Sequence, residues 1–529
     1  MTRFRNSFRT YIGALAIVLV ALGAASAWAQ KVGGTVTIAV TEEPDTLDPQ
    51  KTATAVTGTI LRYIGDTLVT KDLNGNYTAG LAESWSASSD GLTWTFKLKP
   101  GIKFQDGTPV DAAAVKASFE RALSPDTKSP IAGSLFAAIS DIKVEGPLTL
   151  AITLSKPFSV FLDNLTDPRA AVVDVAAAKA EGNQFGRKPI LTGPWMVSEW
   201  RSGDRIILKR NPNYDWGPSY AHKGAPYIDS LVFRIMPESA TQVASFEAGE
   251  VQVLNTVPPA NVQQLQGDTG VTLDKFLRKG VGLFMEFNIT KAPFDDIHVR
   301  EALNYAVNKQ AVVQVALKGL GVPAYGILPP SIWGYWDGIQ QYAPHYDPEK
   351  AKSILEQDGW TMQNGKFMKN GQALSFTLYT APIDTWTASA QVVQSMLKDV
   401  GVTMNIQTYE FGTLLSKLKA AEDQAHFMGY TYTSPDIVYL WFDSANDKTG
   451  LDLSHIQSPE LDSLIAESRT ETDNAARLDT YKTIQQFVSD QALWVPIWTN
   501  YNYIGVRDSL VRAKVHPEGY LSLLDAYVK

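Results

Sequence analysis

Between Thr35 and Val40, apolar Val36, Ile38 and Val40 alternate with Thr35, Thr37 and Ala39, the two-residue period of a strand with one buried face. A polar loop bearing Pro44 and Pro49 follows. From Leu81 to Ser124 the pattern becomes short apolar runs between turn signals. Ser89-Asp90-Gly91, Lys99-Pro100-Gly101 and Gln105-Asp106-Gly107 punctuate it, and Leu92 to Leu98 alternates, which predicts an antiparallel meander. At Asp111 the period changes to that of a helix: Val115, Phe119 and Leu123 share one face, and the Asp111 carboxylate can cap the first free amides. This region reads as a separate α+β lobe.

Two later stretches run strand, helix, strand. In the first, Leu231 to Ile235 is a strand, Ser239 caps a helix through Phe246, Gly249 ends it and Val251 to Leu254 resumes the sheet. In the second, Leu374 to Tyr379 is a strand, Asp384 caps a helix carrying Ala390, Val393, Leu397 and Val400, Gly401 stops it and Val402 to Ile406 alternates again. Crossovers of this kind join parallel strands. Two such units imply two α/β lobes, and ligands commonly bind where such lobes face each other. Further helices are predicted after Asp295 or Asp296, with Val299, Leu303 and Ala306 in register, and after Asp347-Pro348. No repeat or low-complexity linker separates the units, so strands crossing between domains are expected.

Composition narrows the picture. The 529 residues include no Cys, which excludes disulfides, cysteine-ligated zinc, iron–sulfur centres, a cysteine nucleophile and a lipidated N-terminal anchor. The net charge of −8, without a basic run, argues against nucleic acid as a partner. Arg3, Arg5 and Arg9 precede an apolar run from Ile12 to Ala25, and Ala27-Trp28-Ala29 supplies small residues before a cut at Gln30, so residues 1–29 read as a secretory signal. Their removal leaves 500 residues and, with three arginines and no acid lost, moves the charge to −11. The remainder is expected to be soluble outside the cytoplasm.

Catalytic chemistry is sparse. There is no G-x-S-x-G, P-loop or H-E-x-x-H motif, and the six histidines are scattered. Glu42, Glu43, Asp45, Asp48 and the pair Asp295-Asp296 could be imagined as glycosidase carboxylates, but their loop and pre-helix positions suit capping. No cofactor and no metal is expected. Aromatic groups are more suggestive: Trp333-Gly334-Tyr335-Trp336, Tyr430-Thr431-Tyr432 and Trp498 to Tyr503 place rings beside small polar residues, a composition suited to a ligand cleft.

One ordered series of motifs runs through nearly the whole chain. It includes Gly33-Gly34-Thr35-Val36-Thr37, Glu43-Pro44-Asp45-Thr46-Leu47-Asp48-Pro49, Gly80-Leu81-Ala82-Glu83-Ser84-Trp85, Asp106-Gly107-Thr108-Pro109, Arg210-Asn211-Pro212-Asn213-Tyr214, Pro293-Phe294-Asp295-Asp296 and Tyr346-Asp347-Pro348-Glu349-Lys350-Ala351. The series resembles the family 5 extracellular solute-binding proteins of ABC importers, the peptide and nickel class. The resemblance implies an α/β fold like the type II periplasmic binding proteins, two α/β lobes facing a cleft plus an inserted α+β lobe. Residues 30–75, 190–280 and 491–529 would form domain I, 76–189 the inserted domain II and 281–490 domain III. It further implies a monomeric, soluble periplasmic protein, not an enzyme, whose jaws close over a small polar ligand and dock on inner-membrane permease subunits. A secreted hydrolase, or a peptide-signal receptor on the same fold, is the alternative.

Carried over by motif, the resemblance points to Thr52, Ala53, Thr54 and Ala55, to Glu286 and Asn288 on the strand Met285 to Asn288, to Tyr409 and Phe411, to Tyr430, Thr431, Tyr432 and Asp436, and to Trp498 and Asn500 as ligand-binding residues. There is one departure. Peptide-binding members carry an aspartate shortly after the Gly-aromatic pair to receive the α-ammonium, whereas this stretch reads Tyr430-Thr431-Tyr432-Thr433-Ser434. A buried ammonium needs an anionic partner. Either Asp436, Glu43 or Glu286 serves, or the ligand lacks a free amino terminus, as a sugar, an opine or another polar metabolite would. The second option is preferred, with an oligopeptide kept as an alternative.

Overall fold

A computed structural model describes residues 32–447 and 450–529; the expected secretory segment, 1–29, lies outside them. Among the described residues no helix is long and apolar enough to cross a membrane. Apolar side chains gather into separate cores. One joins residues 36–64, 173–233 and 504–528, with a satellite around 236–265; a second spans 68–172 and takes in Tyr214 and Trp216; a third spans 281–498.

The first strand, Thr35–Val40, lies parallel to Ser230–Ile235 on one side and to Val253–Leu254 on the other. Its register sets Val36 beside Leu231 and Ile38 beside Phe233, all buried, so the period-two pattern turns one face into the core. Arg205–Arg210 and Trp195–Arg201 extend this half antiparallel. In the other half Ser375–Thr380 is parallel to Thr403–Thr408 and to Ala425–Met428, with helix Asp384–Asp399 as the crossover. The meander is a four-stranded antiparallel sheet, ordered Ala82–Ala87, Thr93–Leu98, Thr149–Leu154 and Ile139–Gly146.

Helix starts follow local chemistry in most cases. Asp111, Asp296 and Asp347 accept from the amides of Ala114, His298 and Lys350. Two expected caps shift by one residue. Helix Ser239–Glu247 is preceded by Glu238 and helix Asp384–Asp399 by Ile383, neither with a side-chain cap, so Ser239 and Asp384 are first-turn residues. For Asp384 this still suits the helix dipole.

One strand unites the halves. Trp494–Arg507 pairs through Trp494 to Trp498 with Leu283–Phe287, through Trp498 to Asn500 with Gly321–Pro323, and through Tyr501 to Arg507 with Val271–Leu277. The result is one twelve-stranded sheet built from both lobes.

Candidate functional site

The lobes are joined by two adjacent extended crossings, residues 278–282 and the middle of Trp494–Arg507. Close packing there demands glycine. A Cβ on Gly282 would sit 2.4 Å from the Trp498 ring, and one on Gly280, whose φ is +104°, would sit 2.2 Å from the Tyr430 carbonyl oxygen. Two cations stand in this crossing. Arg278 donates through Nε and Nη2 to Thr431 Oγ1, at 3.1 and 2.6 Å, and Lys279 donates to the Ser331 carbonyl. Neither forms an ion pair with a carboxylate among the described residues, and burial lowers both pKa values, Lys279 further through the charge of Lys71, which outweighs the more distant carboxylates Glu518 and Asp163.

Lys71 lies on the opposite bank, where it bridges Asp163 and Glu518, with Arg62 holding the other side of Glu518 at 2.8 Å. Burial opposes ionisation of Glu518, but the charges of Arg62 and Lys71 outweigh it and hold the carboxyl below its ordinary range. Tyr520 stacks under Arg62 at 4.3 Å, and Tyr77 donates to Asp163 at 3.4 Å. Across from Asp163, Asp436 pairs with Arg469 at 2.9 Å; burial pushes the Asp436 carboxyl up to about 6, with Arg469 and Arg477 holding it back. Arg477 lies 4.5 Å over the Trp333 ring. Among the described residues the two banks thus carry six cations, Arg62, Lys71, Arg278, Lys279, Arg469 and Arg477, against four carboxylates, Asp163, Asp167, Asp436 and Glu518. In a chain of net −8 this region runs against the overall charge.

The residues singled out in sequence take several places. Thr52 and Thr54 donate their hydroxyls to Asp45 Oδ1 at 2.7 and 3.1 Å, and Ala53 donates its amide to Asp45 Oδ2 at 3.2 Å. Thr54 caps the helix that opens at Ala55. Glu286 is buried within the larger lobe and meets His426 at 3.1 Å, while Asn288 is fully buried and donates to the Asp423 carbonyl at 3.1 Å. Tyr409 packs edge-on to Tyr379, and Phe411 is exposed at the head of helix Phe411–Lys419. Tyr430 lies against Phe284 and Trp441. Tyr432 is buried and donates to the Ile327 carbonyl at 2.8 Å. Trp498 is buried, and Asn500 donates to Asn502 at 3.0 Å. Of this set, Thr431 and Asp436 touch the charged banks through side chains, on Arg278 and Arg469, while Tyr432 and Asn500 meet the crossing through the backbone, the Tyr432 amide donating to the Lys279 carbonyl at 3.3 Å and the Asn500 carbonyl accepting from the Arg278 amide at 3.0 Å.

Residues 76–450 match the family model described as "Bacterial extracellular solute-binding proteins, family 5 Middle". The chain belongs to this family. It is 31% identical over 507 residues to the glutathione-binding protein GsiB of Shigella dysenteriae, covering 93% of each chain, and 31% identical over 494 residues to GsiB of Escherichia coli K12, covering 91% of each. Among solved structures it is similar to the oligopeptide-binding protein AppA of Bacillus subtilis, in complex with a nonapeptide, with TM-score 0.72 at 25% identity over 95% of this chain and 100% of that one. The fold also matches HbpA2 of Haemophilus parasuis, with TM-score 0.82 at 22% identity, covering 94% of this chain and 100% of that one.

As a family 5 solute-binding protein the chain is the substrate-binding component of an ABC importer and not an enzyme. The fold is that of the type II periplasmic binding proteins. Its task is therefore capture, and the chemistry of the site is that of charge and shape. Sequence reasoning passed over Arg62, Lys71, Asp163, Arg278, Lys279, Arg469, Arg477 and Glu518. Apart from the neighbours Arg278 and Lys279 these charges are scattered over ordinary strands, loops and helices, and only tertiary contact between segments as distant as Lys71 and Glu518 gathers them.

Proposed function

We propose that this protein captures a small anionic solute of peptide type, an acidic peptide or amino-acid conjugate, in the periplasm and as a monomer, and passes it to the importer's permease. The observation that carries this reading is the surplus of cations at the crossing, where Arg278 and Lys279 lack carboxylate partners. Partly buried cations without a direct ion pair gain from an incoming carboxylate, whereas a neutral solute leaves them unpaired. The acids that could receive an ammonium are already engaged: Asp436 with Arg469, Glu286 with His426, and Glu43 with the Trp200 indole and the Gly203 amide. Recognition through the ligand's carboxylates rather than its amino terminus agrees with the absence of an acid between Tyr430 and Ser434. The name of the GsiB relatives points to the same class, since glutathione carries two carboxylates.

The test is calorimetry on residues 30–529 with glutathione, a γ-glutamyl dipeptide, an opine-type iminodicarboxylate, trialanine and a neutral disaccharide. The first three are expected to include the tight binders, with affinity falling as salt rises. Tighter binding of trialanine or the disaccharide than of every anionic probe overturns the reading.

A further inference from the structure

The inserted lobe reaches the far lobe around residues 468–477. Helix Pro459–Thr470 ends there, and its last carbonyls, such as those of Ser468 and Arg469, have no partner within the helix ladder. Ser159, from the loop after strand Thr149–Leu154, donates its amide to the Arg469 carbonyl at 2.9 Å and its hydroxyl to the Ser468 carbonyl at 2.9 Å. Arg477, at the start of helix Asn474–Asp490, completes the contact by donating Nε to Ser468 O at 3.1 Å and Nη1 to Ser159 O at 3.2 Å. Phe158 lies 5.5 Å under the Arg469 guanidinium, which Asp436 holds from its own lobe. Gly91, at a turn of the meander, fits against Thr472, where a Cβ would come within 3.0 Å of its methyl.

We infer that this contact is a closing latch: the inserted lobe caps a helix of the opposite lobe in trans, and the cap forms only when the lobes meet. Three direct hydrogen bonds tie Ser159 to the other lobe. In an open arrangement water replaces them, so their contribution belongs to the closed state alone. Anything that stabilises only the closed state multiplies the apparent affinity for whatever solute the cleft encloses. Lobe II would then be a third jaw, and the latch would set the closing equilibrium independently of ligand chemistry. This inference rests on the binding-protein reading but not on the identity of the solute.

As inferred, the latch holds the lobes together for most of the time even before a solute enters, so hydrogen exchange on the protein without added solute tests it. Ser159→Asp sets an anion against the negative end of the helix, and Ser159→Ala removes one bond while leaving the amide. In both variants peptides covering 155–161 and 465–473 should exchange faster than in the parent, by about fivefold for Ser159→Ala and by about tenfold or more for Ser159→Asp. Peptides from the sheet, such as 283–287, should be unchanged, which shows that the fold is retained. Unaltered exchange of 465–473 in Ser159→Asp overturns the latch, whether or not any anionic probe binds.

Discussion

Trp498 donates its indole N–H to the hydroxyl of Ser389 at 3.0 Å, tying the strand that crosses between the lobes to the crossover helix Asp384–Asp399. The Ser389 hydroxyl in turn donates to the Thr385 carbonyl at 2.7 Å, so both polar groups are satisfied inside the core. Trp498→Ala should therefore act on stability, at a cost of about 3–5 kcal/mol measured by urea unfolding. Ser389→Ala, which strands the indole N–H, should cost about 1–3 kcal/mol. A Trp498→Ala variant with the parent's urea midpoint would show that the ring bears no structural load.

The contrast between Trp498 and Arg278 shows what a single sequence carries. The strand at Thr35–Val40, the helix capped by Asp111 and the crossover after Ser375–Thr380 were legible because alternation, capping and turn chemistry act over a few residues. Family motifs pointed to Asn288 and Trp498, but motif position is silent about which way a side chain turns, and both are buried. Arg278 and Lys279 left no pattern, since a pair of basic residues between two strands is most often solvated. Their meaning comes from missing partners, a property of the folded surroundings.

A buried charge network underlies the strand that leads to Tyr430. Burial opposes a charge on His426, but hydrogen bonds to Asp423 at 2.9 Å and Glu286 at 3.1 Å outweigh it and raise the pKa from 6.5 to about 9. The folded state thus holds this proton more tightly than the unfolded chain. The resulting stability is complete below pH 6.5 and is lost as pH rises through 9, an amount of about 3 kcal/mol. Nearby Asp452, raised by burial to about 7, changes stability in the same sense but is already ionised above that value. Between pH 7.5 and 9.5 the urea midpoint should fall in the parent and stay level in His426→Gln, which should be less stable at neutral pH. A parallel decline in both would exclude His426 as the source.

Lys309 is the reverse case. Its Nζ is buried without a hydrogen-bond partner, 4.8 Å over the Tyr325 ring, and burial lowers its pKa from 10.5 to about 7. A depressed lysine favours the folded state above pH 10.5 and loses that contribution as pH falls through 7. Lys309→Met keeps the stem and removes the charge, so it should raise stability at pH 6 by about 2 kcal/mol and by less at pH 10. Thermal midpoints of parent and variant at the two pH values measure this, and equal midpoints at pH 6 would mean that the ammonium finds water.

The hinge cations give the sharpest test of anion capture. Arg278 and Lys279 hold only neutral oxygens, Thr431 Oγ1 and the Ser331 carbonyl, so removing either leaves no buried carboxylate unpaired and should leave the thermal midpoint nearly unchanged. A charge-assisted bond to a ligand carboxylate contributes about 1.5–3 kcal/mol, so Arg278→Met or Lys279→Met should weaken binding of an anionic probe such as glutathione about 10- to 100-fold. Arg205, which pairs with Asp204 and Glu199 on the outer strands of the sheet, supplies the control: Arg205→Met removes the same charge at a distance and should shift affinity by less than about threefold. Equal losses in Arg205→Met and Arg278→Met would assign the effect to net charge, and unchanged affinity in both hinge variants would move the anion site elsewhere in the cleft.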